Sequence, residues 1–183
     1  MNSKLVSAKV HQPDYATAIQ AQELTFAGGS EGTANAGDYS RCLNEVKEAG
    51  IANIVFTDSA GDMTVNKALQ GYAQEMQDLQ VVISGLPQDV ASVVSDVENY
   101  RDASARTIYA YPWVNTMIDG VETLVEPASF VASVISQSPA HEDVASVDNV
   151  SFLTGITGLD RKLSRMDYIE LVDAGVCSFE FDK

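Results

Sequence analysis

With 183 residues, of which 45% are hydrophobic and 20% charged, the chain is long enough to bury a substantial core and too apolar to be disordered. It carries 26 acidic against 11 basic residues, a formal charge of −15, and its Lys and Arg residues are scattered, which argues against a nucleic-acid partner. The N-terminus lacks the apolar core of a signal peptide, and no run approaches the ~18 apolar residues of a membrane span. We therefore expect no membrane insertion and a chain kept in a cytosol-like compartment, unless something larger carries it out.

The first part of the chain alternates strands and helices. Residues 24–26 can close a strand, residues 28–33 are a Gly-rich loop, and apolar residues then recur at helical spacing from Asn35 to Gly50. A strand-length apolar run, a helix, a strand, a helix and a strand follow at residues 51–58, 61–80, 81–85, 88–101 and 106–113. This order predicts an α/β fold with a mostly parallel sheet flanked by helices, in which the first apolar run is a buried parallel strand.

The pattern changes after Trp113. Asp119 and Gly120 stand between two alternating runs, which is a strong signal for a β-hairpin. Pro127 is well placed for the first turn of a helix. Residues 140–160 are first irregular and polar and then turn apolar.

A last helix and strand are predicted near the end of the chain. Ser164 is a good N-cap, Asp167 three residues later suits both a capping box and the helix dipole, and Gly175 stops the helix. The chain finishes two residues after the following apolar strand, which is an abrupt place for a natural domain to end.

Two strand-end loops are candidate sites in a sheet of this kind. The Gly-rich loop at 28–33 stands where a phosphate would bind, but it lacks the Walker lysine and the GxGxxG spacing, and Glu31 and Asp38 would meet the phosphate. Asp58 and Asp62 follow the next strand. They can serve a metal or an acid/base pair, while capping of the next helix by Asp62 and a turn at Asp58 need only local hydrogen bonds.

Other residues that could carry chemistry have no partner in the sequence. His11 and His141 have no HxxxH or HxH spacing, and we expect Cys42 and Cys177 to be buried thiols. Ser129 opens a helix but is not in a GxSxG elbow. A triad is recognised by geometry, so the sequence leaves one open, yet the chain reads as a scaffold for which we expect no catalytic, cofactor-binding or metal-binding residues.

Three segments of the chain resemble contractile phage tail sheath proteins. "LTFAGGSEGTANAGDYSRCLNEVKEAG" and the strand and helix after it resemble the start of the family's central domain, with its "LTGGSDGT"-like loop. "IYAYPWVNTMIDGVETLVEPASFVAS" is similar to the segment in which a Tyr-Pro-Trp strand end precedes a hairpin and a "PPSG–VAG" helix, although the Gly positions differ here. "FLTGITGLDRKLSRMDYIELVDAGVCSFEF" looks like the continuation into the C-terminal domain.

The resemblance implies a structural role and a domain division. It implies an N-terminal segment at 1–23, a central α/β domain at 24–140 with a subtilisin-like fold but no triad, and the start of a truncated α+β domain at 141–183. Family members stack as rings around a tail tube in the virion and contract to drive it into the host, and their arms add strands to neighbouring subunits. The partners implied are further copies of the chain and the tail tube protein, assembled in the bacterial cytoplasm.

Tyr109, Tyr111 and Trp113 are spaced two apart and point to one face of their strand. We expect them to form a core cluster rather than an exposed contact. Pro112 lacks a backbone donor, so the strand must end there or lie at an edge, and the hairpin after it is a surface feature or a lateral contact. An alternative function of a different class is a small α/β enzyme or ligand-binding domain with its site near residues 28–33 and 57–62.

Overall fold

The structure, a computed structural model, describes residues 34–50, 52–76, 79–101, 106–138 and 155–180. Its helices are α1 (Ala36–Ala49), α2 (Met63–Glu75), α3 (Val90–Val97), α4 (Pro127–Gln137) and α5 (Arg165–Ala174), with a 3-10 turn at Glu98–Tyr100. Its strands are β1 (Ile54–Phe56), β2 (Gln80–Ser84), β3 (Thr107–Tyr111), β4 (Val114–Ile118), β5 (Val121–Val125), β6 (Ile156–Leu159) and β7 (Val176–Ser178). The strand predicted at 24–26 and the loop at 28–33 lie outside the described residues.

A four-stranded parallel sheet forms the centre, in the order β1-β2-β3-β7. Helices α2 and α3 connect its first three strands, and α4 packs against β1, β2 and β3. The fold is therefore α/β with a mostly parallel sheet flanked by helices, which confirms the prediction from the alternating pattern. A second sheet is antiparallel and has the order β5-β4-β6.

The two faces of the parallel sheet bury separate cores because successive side chains of a strand point to opposite faces. In β2, Val81 and Ile83 belong to the larger core, whereas Val82 belongs to the smaller one. Helices α1, α2, α3 and α5 contribute to the larger core, and α4 covers the smaller one. This division explains why a continuous apolar run, rather than an alternating one, specifies β2.

Side-chain caps set the ends of α1 and α5. Asn35 and Ser164 each accept a hydrogen bond from the backbone N–H three residues on, and Asp38 and Asp167 complete the two capping boxes. Each helix ends at a glycine in the left-handed conformation, Gly50 or Gly175. The predicted bounds of both helices are confirmed, because the capping residues are readable in the sequence.

The predicted hairpin is present. Asp119 and Gly120 both have positive φ angles, 51° and 79°, as a two-residue turn that matches the strand twist requires. Met117 lies opposite Glu122, and Asn115 lies opposite Leu124. Strand β6 pairs with the other edge of β4. It was not predicted, because four residues with a central glycine carry little strand signal of their own.

Two predictions about burial are wrong. The run at 51–58 was predicted as a buried strand, but β1 spans three residues at one end of the described sheet, and Phe56 is 45% exposed. Cys42 was predicted to be buried, but it lies on the exposed side of α1, and Cys177 is half-buried. A short strand at the end of a sheet, or a helix that packs on one side only, leaves some of its apolar side chains exposed.

The predicted domain boundary at 140/141 falls within residues 139–154, which the structure does not describe. The described parts on either side of it lie in one compact unit, 34–183. Strand β7 pairs in parallel with β3, and α5 packs on α3 and β7. Residues beyond the predicted boundary therefore contribute to the central sheet.

Candidate functional site

The aromatic corner at the end of β3 holds the segment that follows β2. The Tyr109 hydroxyl donates to Asp96 Oδ2 at 2.7 Å, the Tyr111 hydroxyl donates to the Gln88 carbonyl oxygen at 2.8 Å, and Trp113 Nε1 donates to the Gly85 carbonyl oxygen at 2.9 Å. Both tyrosines are buried and Trp113 is half-buried, so the predicted core role is confirmed for the tyrosines. As Pro112 predicted, β3 ends at Tyr111.

Burial changes the acidity of both phenols. It raises the pKa of Tyr111 to about 12, although the nearby Arg161 charge acts in the opposite direction. Burial also raises the pKa of Tyr109, and its hydrogen bond to the Asp96 carboxylate raises that pKa further. Both hydroxyls therefore stay protonated donors at neutral pH, and their role is to position the segment after β2.

Arg161 fastens the connection between β6 and α5 to this corner. Its guanidinium contacts Asp160 Oδ2 at 3.0 Å and lies 5.8 Å from the centre of the Tyr111 ring. The Asp160 backbone N–H donates to the Trp113 carbonyl oxygen at 2.9 Å. A guanidinium over an aromatic face is favourable, so Arg161 contributes to internal packing here.

A second polar cluster lies at the carboxyl end of β2 and contains Ser84, Asn66 and Glu126. The Ser84 hydroxyl donates to Glu126 Oε1. The Ser84 carbonyl oxygen accepts from Gly61 N at 3.0 Å and from Asn66 Nδ2 at 3.2 Å. Glu126 connects β5 to α4, so this cluster ties the antiparallel sheet to the parallel one.

Glu126 is the titratable group of this cluster. Burial raises the pKa of its carboxyl group, and the nearby Asp58 charge raises that pKa further, while the Ser84 hydroxyl lowers it by stabilising the carboxylate. A serine hydroxyl that donates to a carboxylate has the arrangement of a nucleophile within hydrogen-bond reach of a general base. This is the arrangement in the described residues that best fits acid/base chemistry.

The residues singled out from the sequence are placed apart from this cluster or at its rim. Asp62 caps α2 by accepting from Thr64 N at 2.9 Å and Val65 N at 3.3 Å, as its local interpretation predicted. Asp58 accepts instead from the hydroxyl of Tyr39, 19 residues earlier in the sequence, at 2.9 Å. Asp38 belongs to the capping box of α1.

Ser129 does not sit in a nucleophile elbow. It lies in the first turn of α4, where its hydroxyl donates to the Glu126 carbonyl oxygen at 3.1 Å. His11, His141 and the Gly-rich loop at 28–33 lie outside the described residues. The phosphate-binding hypothesis for that loop therefore stays a hypothesis.

Sequence reasoning missed Ser84, Asn66 and Glu126. The available signal was a serine ending an apolar strand and an asparagine inside the apolar stripe of a helix, since polar groups at buried positions need partners. The sequence could mark Ser84 and Asn66 as candidates. It could not show that Glu126, which lies 42 residues beyond Ser84, would be the partner of Ser84.

Fold and site together define an α/β protein with the aromatic corner and with a Ser84–Glu126 contact at the carboxyl end of β2. The described residues contain no group of three or more His, Cys, Asp and Glu side chains that could hold a metal ion. None of the helices in this part of the chain is long and apolar enough to cross a membrane. The sequence matches no family model and no curated protein.

The pH dependence of stability tests the Glu126 cluster. Because the native state raises the pKa of Glu126, its contribution to stability is complete below the ordinary glutamate value of 4.5 and is lost as the pH rises through the native pKa. Glu126→Gln cannot titrate, so we expect its stability relative to wild type to increase as the pH rises from about 4.5 to 8. Urea unfolding at a series of pH values measures this difference.

Ser84→Ala is the companion variant. It removes the hydroxyl that stabilises the Glu126 carboxylate, so the native pKa of Glu126 should rise further. In the Ser84→Ala background, the stability gained by adding Glu126→Gln should therefore keep growing to higher pH than it does in wild type. Stability curves of wild type and Glu126→Gln that stay parallel across the whole range would contradict the assignment.

Proposed function

We propose that the chain is a structural subunit of a contractile phage or prophage tail sheath, acting in the virion by assembling into stacked rings around a tail tube. Its work is a change of packing between two ring arrangements, which drives the tube into the host. The observation that carries the proposal is the in-register resemblance of three segments to that family. The partners are further copies of the chain and the tail tube protein, and no cofactor takes part.

The order of elements supports this role. In the resembling segment, a Tyr-Pro-Trp strand end is followed by a hairpin and a proline-initiated helix, which correspond to β3, β4, β5 and α4. The Tyr109 and Tyr111 hydroxyls and Trp113 Nε1 of the aromatic corner donate hydrogen bonds within the molecule. The subtilisin-like arrangement of the sheet is part of the same proposal.

Exposed apolar side chains supply surfaces that an assembling subunit needs. Met117, Ile118, Val121 and Leu124 of the hairpin are 40–64% exposed. A charge of −15 opposes self-association, so contacts between copies must combine apolar area with matched charges. Such a surface is what we expect of a subunit that packs against neighbouring copies.

Negative-stain electron microscopy tests the proposal. We expect tubes or stacked rings when the full gene product is imaged at high protein concentration over a range of salt. Uniform small particles under every condition would contradict it.

One observation favours the alternative, a small α/β enzyme or ligand-binding domain. A polar groove of about 340 Å³ lies beside the strand-end loop at 57–62 and is lined by Gly61, Gln88, Ser92 and Asp96, among others. A ligand held there would raise the melting temperature, and by more as its concentration rises above its dissociation constant. A small-molecule screen that finds such a shift, lost in Asp96→Asn but kept in Ser129→Ala, would support the alternative.

A further inference from the structure

Two groups of exposed side chains place large apolar residues beside charges of opposite sign. The first, called the hairpin patch, consists of Met117, Glu122 and Leu124, which share one face of the β4–β5 pair. The second, called the helix patch, consists of Lys162, Arg165, Met166, Ile169 and Val172. Large exposed apolar groups that cluster in this way mark interaction sites.

The hairpin patch is apolar and acidic. Met117 is 50% exposed and Leu124 is 40% exposed. Met117 lies opposite Glu122 in the register, and Leu124 lies two residues beyond Glu122 on the same face of β5. The exposed Asp119 at the turn adds a second negative charge, and the sequence has no lysine or arginine between Arg106 and Arg161.

The helix patch is apolar and basic. Met166 is 71%, Ile169 46% and Val172 66% exposed, although Leu171 between them is fully buried. Their spacing of three residues places them along one side of α5. Lys162 and Arg165 are exposed at the N-terminal end of this stripe. Together with Arg161 they are the densest group of basic residues in the chain, three within positions 161–165.

Acidic residues limit the basic area on one side. Glu170 and Asp173 line a groove of about 460 Å³ between α3 and α5, together with Met166 and Ile169. Arg101 lines the same groove but is paired with Glu98 at 2.7 Å, so the positive charge of the helix patch itself, Lys162 and Arg165, lies at its N-terminal end. An incoming surface with apolar side chains flanked by one or two carboxylates fits this arrangement.

We propose that the hairpin patch of one copy of this chain docks on the helix patch of a second copy. Charge complementarity selects this pairing. Two copies with a net charge of −15 repel each other, except where the few exposed cations of one copy meet carboxylates of the other. The apolar residues on both sides supply the buried area. Because the contact joins two different surfaces, it repeats from copy to copy and builds rings or filaments.

This contact deepens the proposed sheath function and rests on it, since it names two surfaces through which subunits would meet. It uses exposed side chains, although Glu122 Oε1 also accepts a hydrogen bond from the Thr157 hydroxyl at 2.8 Å within the chain. Arg161 is not part of the helix patch, because it is held by Asp160 and the Tyr111 ring.

A charge-swap experiment on the 183-residue chain tests the contact. Sedimentation velocity over a range of concentrations gives the association constant for wild type, Lys162→Glu, Glu122→Lys and the chain that carries both changes. Each single change places like charges together, and we expect it to weaken association at least about tenfold. The double change restores opposite charges across the contact and should recover most of the loss.

Arg41→Glu is the matched control. Arg41 is exposed on α1, outside both patches, and its reversal changes the net charge as much as Lys162→Glu does. We expect it to leave association within about twofold of wild type, because Arg41 lies outside the contact and its exposed ion pair with Asp38 contributes little. The weakening caused by Lys162→Glu should shrink in high salt.

The outcomes separate the contact from the function. If wild type forms tubes or rings but the double change recovers nothing over the singles, the contact is overturned while the sheath function stands. If Arg41→Glu weakens association as much as Lys162→Glu, net charge alone is responsible and the contact is overturned. A wild-type chain that stays monomeric at all concentrations and salts, and forms no rings or tubes in the microscope, overturns both.

Discussion

Leu171→Ala is expected to lower the free energy of unfolding of the whole chain by about 2–5 kcal/mol, the range for deleting a buried leucine side chain. Leu171 is 0% exposed and belongs to the larger core, together with residues of β2, β3 and α2. Removing it leaves a cavity beneath α5. Because α5 packs on α3 and β7 pairs with β3, the loss should appear in one cooperative transition.

Val172→Ala is the control for Leu171→Ala. The two residues are adjacent on α5, but Val172 is 66% exposed, so its truncation should change the free energy of unfolding by no more than about 0.5 kcal/mol. Urea denaturation followed by circular dichroism in dilute, monomeric protein measures both. A minor separate transition for α5 and β7, with the main transition unchanged in Leu171→Ala, would show that this region folds apart from the central sheet.

Gly85→Ala is expected to cost about 3 kcal/mol, the upper end of the range for overpacking a filled site. A methyl group at this position would lie 2.1 Å from the Tyr109 hydroxyl and 3.1 Å from Asp96 Oδ2. Tyr109 is 2% exposed and its hydroxyl is bound to Asp96, so the ring cannot move aside without breaking that contact. Thermal unfolding measures the change.

Two variants make this prediction specific. Gly71→Ala on α2 has open space around the new methyl group and should stabilise the protein by about 0.5–1 kcal/mol, since alanine favours a helix. Tyr109→Phe removes the oxygen that the methyl group would meet, so Gly85→Ala combined with Tyr109→Phe should cost less than the sum of the single changes. Strict additivity would contradict the proposed clash.

Local signals account for the parts of the fold that were predicted well. The starts and ends of α1 and α5 follow from Asn35, Gly50, Ser164 and Gly175, whose side chains or backbone act within one helical turn. The hairpin follows in the same way from its Asp-Gly turn. These features are readable because the interacting groups are only a few residues apart.

The candidate site was predicted in part. The capping role of Asp62 is local and was correctly inferred. The Ser84–Glu126 contact was not, and neither was the hydrogen bond from Tyr39 to Asp58, which are 19 residues apart. The sequence analysis likewise did not single out the buried Gln70 side chain, which donates to the Tyr100 carbonyl oxygen at 2.7 Å.

The sequence by itself determined the order of helices and strands apart from β6, the turn of the hairpin and the burial of Tyr109 and Tyr111, because periodicity, caps and turn residues act over short distances. Only the tertiary structure decided that β6 would pair with β4, that β7 would join β3, and that Ser84 would meet Glu126. Those outcomes depend on which distant segments bury each other's apolar faces and satisfy each other's polar groups, and a local pattern does not encode the identity of the partner.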